Sequence, residues 1–120
     1  VINGEVDIVA VDWQNTTRGC GPHDIAYFSG QSCGTEMRGD IEMAALRRYH
    51  DVLIDEGVTG FSFDECLDYY RLNLMITMIT PIAICGTLDP GNERGVELGR
   101  IILERSLSAL TSMQCADLLE

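Results

Sequence analysis

The chain has 120 residues, enough for one domain that buries about two thirds of its unfolded surface, and its 46% hydrophobic and 22% charged residues exclude a disordered segment. Its net charge of −11 leaves no basic stripe to displace counterions, which excludes nucleic acid as a partner. All eight basic residues are arginine, so Schiff-base chemistry, a lysine nucleophile and a phosphate-gripping lysine are excluded from anything these residues do alone.

Val1-Ile2 stands as an apolar pair directly before Asn3-Gly4, and the alternating segment Glu5-Val6-Asp7-Ile8-Val9 follows. Asn-Gly between β-prone runs signals a hairpin, because both turn residues accept positive φ. The expected second strand spans about residues 5 to 11 and ends at Asp12. A chain that starts within a strand is expected to be the remainder of something longer. Residues 15–22, NTTRGCGP, read as a polar loop.

From Asp24 onward the pattern turns helical. Pro22 to about Gln31 suits a short first helix, carrying Ile25, Tyr27 and Phe28. In the second, Met37, Ile41, Ala45, Tyr49 and Val52 recur at helical spacing and predict the buried face, with Gly57 as the stop. Ser62-Phe63-Asp64-Glu65 opens the third as a capping box, and Phe63, Leu67, Tyr70, Leu74 and Met78 form its stripe. The run LNLMITMITPIAICG is shorter than a bilayer span and contains Pro81; it reads as a buried helix with a kink or stop, and no membrane partner is expected. The fourth helix runs from about Asn92 to Met113 with Val96, Leu103, Leu107 and Leu110 inward. The fold class is therefore α+β, mostly α: one hairpin and about four helices in a single partial domain over residues 1–120.

The five cysteines form no CxxC and are odd in number, which reads as reduced thiols in a cytoplasmic protein. Cys20, His23 and Cys33 lack an evident fourth zinc ligand, so ordinary thiols are preferred.

The stretches VDWQ, RGCGPHDIAYF, RRYHDVL, FSFDECLDYYRLNL and NERG together resemble the aminoglycoside-phosphotransferase-like superfamily, most closely its choline- and ecdysteroid-kinase-like bacterial members. The resemblance covers nearly the whole chain but only the C-terminal lobe of such an enzyme. It implies transfer of the γ-phosphoryl of ATP to a hydroxyl of a small-molecule acceptor, with Mg²⁺ neutralising developing charge. By position Asp12 matches the family's metal-binding aspartate at a strand end, where a carboxylate suits a hard cation. Trp13 is implied to be an apolar wedge beneath that site, and Asp24 to cap a helix and brace the catalytic loop. Tyr70 and Arg71 are candidates for the acceptor site, set against core packing for Tyr70 and a surface ion pair for Arg71. The family's His-Gly-Asp catalytic loop and lysine-bearing nucleotide lobe are absent from these residues, so no catalytic residue is assigned and the chain alone is expected to be inactive. The alternative reading is a non-catalytic helical interaction domain that self-associates through its unfilled apolar surface.

Overall fold

A computed structural model describes residue 16 and residues 18–119. The order is α1 (Pro22–Tyr27), a π-helical turn (Phe28–Ser32), α2 (Thr35–Asp55), α3 (Phe63–Thr77), α4 (Ile79–Thr87), α5 (Glu93–Ser112) and a closing 3₁₀ turn (Cys115–Leu119). Every element is helical, and no strand occurs among the described residues. The α+β class is thereby corrected to all-helical for the described chain. It had rested on the period-2 alternation before Asp12, and the expected hairpin at residues 1–11 lies outside the described residues. From Pro22 on, Pro at a helix start, three- and four-residue apolar spacing and cap signals all favour helix.

Local chemistry sets the helix ends. Ser62 Oγ accepts from the Glu65 amide at 3.2 Å, and the Glu65 carboxylate accepts from the Ser62 amide at 2.8 Å. This is the capping box read from the sequence. Asn92 caps α5 by accepting from the Gly95 amide at 3.0 Å, so NERG is a helix start. Helix α2 ends at Gly57 (φ 90°), where Gly57 N donates to Ile54 O and Val58 N to Leu53 O, the paired bonds of a Schellman cap.

The core gathers Ala26, Leu46, Cys66, Tyr70, Leu74, Ala109 and Cys115, with Ile25, Tyr49, Phe61 and Phe63 around it. Helix α3 is its axis, packed by α1, α2, α5 and the 3₁₀ turn. The predicted face of α2 is corrected by about one residue. Met37, Ile41, Ala45 and Val52 are exposed, whereas Arg38, Glu42 and Leu46 are buried. The inward row 38, 42, 46, 49, 53 is tolerated because its two charges neutralise each other, Arg38 donating to Glu42 at 2.6 Å. In α5 the fully buried positions are likewise small, Gly99, Ser106 and Ala109; of the expected inward residues Leu103 and Leu110 are half-buried, and Val96 and Leu107 are exposed. A Cβ on Gly99 would stand 3.2 Å from Cys85 Sγ and 3.3 Å from Ile84, so the missing side chain permits the close approach of α4.

The run around Pro81 breaks at Met78, three residues ahead of the proline, and resumes as α4. Proline has no N–H for the carbonyl four residues back, which frees Thr77 O. Gln31 Nε2, carried inward by the π-helical turn, donates to that carbonyl at 2.9 Å. Of α4 only Pro81 is buried, so the expectation of a buried helix is corrected as well. No helix among the described residues is long and apolar enough to cross a membrane.

Candidate functional site

Three stretches separated in sequence meet where α1 lands on α3. Pro22 is buried at the start of α1, and Gly21 lies so close to the Tyr49 ring that any Cβ there would overlap the hydroxyl. His23 Nδ1 is 2.9 Å from Asn73 Oδ1. Because Asn73 Nδ2 donates to Tyr69 O at 2.7 Å, its amide oxygen faces the imidazole, and Nδ1 carries the proton. The second contact joins α2 to the start of α3. His50 Nε2 donates to Phe61 O at 2.9 Å, its ring meets Phe63 edge-on at 5.7 Å, and the Arg47 guanidinium lies 4.2 Å over the Phe63 ring.

Beneath this junction lies a buried polar chain. Tyr70 Oη donates to Glu42 Oε1 at 2.5 Å, Arg38 holds the other carboxylate oxygen, and Ser29 Oγ is 2.7 Å from Tyr70 Oη. Ser29 Oγ also lies 2.7 Å from Ile25 O, so its single proton is shared between that carbonyl and Tyr70 Oη and ties α1 to its own π-helical turn. Arg38 extends toward Ser108 on α5 at 3.4 Å. Burial first, and then the hydrogen bond to Glu42, hold the Tyr70 phenol far above its ordinary range. Burial likewise raises the thiols of Cys66 and Cys115 and the phenol of Tyr49. These are protonated packing groups.

Asp12 and Trp13 lie outside the described residues. Asp24 is exposed in the first turn of α1, where its charge complements the helix dipole; the N-cap itself is Gly21, without a side-chain bond. Tyr70 is fully buried, with its hydroxyl committed to Glu42 and Ser29. Arg71 donates from Nε to Met113 O at 2.8 Å and from its second amine to Gln114 O, closing the C-terminus of α5. The exposed aromatic beside them is Tyr69, which with Leu72, Leu118, Glu65 and Asp68 lines an open groove of about 330 Å³.

Among the described residues no three His, Cys, Asp or Glu side chains converge as a metal would require, so the described helices furnish no cation cage of their own. All five cysteines are free; Cys33, Cys66 and Cys115 are buried, and Cys20 and Cys85 exposed. The sequence reading passed over the Arg38–Glu42–Tyr70 chain and the His23–Asn73 bond. A signal for the first was present: Arg38 and Glu42 stand four apart, on the same helical row as Leu46, Tyr49 and Leu53. No family model, no curated protein and no solved structure matches the chain.

Proposed function

We propose that this chain is the C-terminal helical part of an ATP-dependent phosphotransferase that phosphorylates a hydroxyl of a small molecule in the cytoplasm. One observation supports the reading most: three of the five stretches that carry the resemblance meet in space. His23 of HDIAYF bonds Asn73 of LDYYRLNL, and Arg47 and His50 of RRYHDVL pack on Phe61 and Phe63 of FSFDEC. Residues joined this way act as a unit, and the unit anchors the loop that leads back to VDWQ.

In this reading the helical block is a platform. Pro22, Gly21 and His23 fix the end of the loop that follows VDWQ in the sequence. Asp12 is the residue that holds Mg²⁺, which when bound neutralises charge on the nucleotide phosphates. Tyr70 and Arg71 serve from beneath, the first locking α2 to α3 and the second closing α5. The acceptor then meets the exposed side of α3.

Mn²⁺ replaces Mg²⁺ in an EPR titration in which bound ion disappears from the free-ion spectrum. The full-length protein, whose other lobe supplies the remaining ligands in this reading, binds one Mn²⁺ that Asp12→Asn abolishes and Asp24→Asn leaves in place. Equal Mn²⁺ binding by the parent and Asp12→Asn would remove Asp12 from the role and the reading with it.

A further inference from the structure

No further inference is drawn: the strongest candidate, the open groove where Tyr69 and Leu72 of α3 face Leu118 of the closing 3₁₀ turn beside the carboxylates of Glu65 and Asp68, belongs to the acceptor face already described, and nothing in the structure shows what occupies it.

Discussion

Replacing Glu42 with glutamine keeps the side chain's size and removes its charge. Arg38, whose side chain is 3% exposed, is then a buried cation with no counter-charge, since Ser108 at 3.4 Å offers only a neutral oxygen. Tyr70 loses a charged acceptor at the same time. Breaking one side of a buried ion pair costs about 3–5 kcal/mol. A domain of this size is stable by about 6–18 kcal/mol in all, so the loss is a large share of the total. With an unfolding entropy of about 2.1 cal/mol/K per residue, the melting temperature falls by about 12–20 °C. Calorimetry on the parent, on Glu42→Gln and on the paired change Arg38→Met with Glu42→Leu separates the ion pair from its packing. The paired variant removes both charges and stays within about 2 kcal/mol of the parent. A Glu42→Gln protein melting within about 4 °C of the parent, alongside an Ile41→Gln protein that collapses, would refute the reasoning and turn α2 by one residue, back to its apolar stripe.

Gln31→Ala leaves Thr77 O without a donor beside Pro81 and costs about 1–3 kcal/mol in a urea titration, whereas the same change at exposed Gln114 costs far less. Ser106 Oγ is buried without a hydrogen-bond partner among the described residues, so Ser106→Ala raises stability by about 1 kcal/mol in the same titration. Ser62→Ala removes the N-cap of α3 at a cost of about 0.5–2 kcal/mol. The Ser62 backbone amide, then its hydroxyl, hold the Glu65 carboxyl below its ordinary value. That contribution is fully present above the unfolded carboxylate pKa of about 4.3 and is lost as pH falls through the lower folded value. Stability measured between pH 6 and pH 3 therefore drops less in Ser62→Ala than in the parent.

Helix positions were legible wherever a terminus carried its own chemistry: Pro22, the Ser62–Glu65 box, Gly57 and Asn92 each act locally. Helix orientation was legible for α3, whose stripe Phe63, Leu67, Tyr70 and Leu74 faces the core, but not for α2 and α5. Counting apolar residues placed Met37 and Ile41 inside, because periodicity treats every charge as outward-facing. Arg38 and Glu42 neutralise each other directly, and Tyr70, 28 residues further along, satisfies the remaining carboxylate oxygen of Glu42. The same limit applied to α5, where Gly99 and Ala109 face inward because α4 and α3 come close, a fact of tertiary packing that no helical wheel contains. Tyr70 packs in the core and Arg71 pairs with Asp68 at 3.4 Å, the roles set against the acceptor site in the sequence; the reach of Arg71 onto the end of α5 was not legible. The pairing of His23 with Asn73 spans 50 residues and leaves no local trace.

The proposed function stands or falls most directly on the coding DNA immediately upstream of Val1. The account predicts an in-frame segment containing a His-Gly-Asp loop with a downstream asparagine, preceded by a β lobe bearing a nucleotide-contacting lysine. A stop codon there, or an open frame with neither the loop nor the lysine, would contradict it.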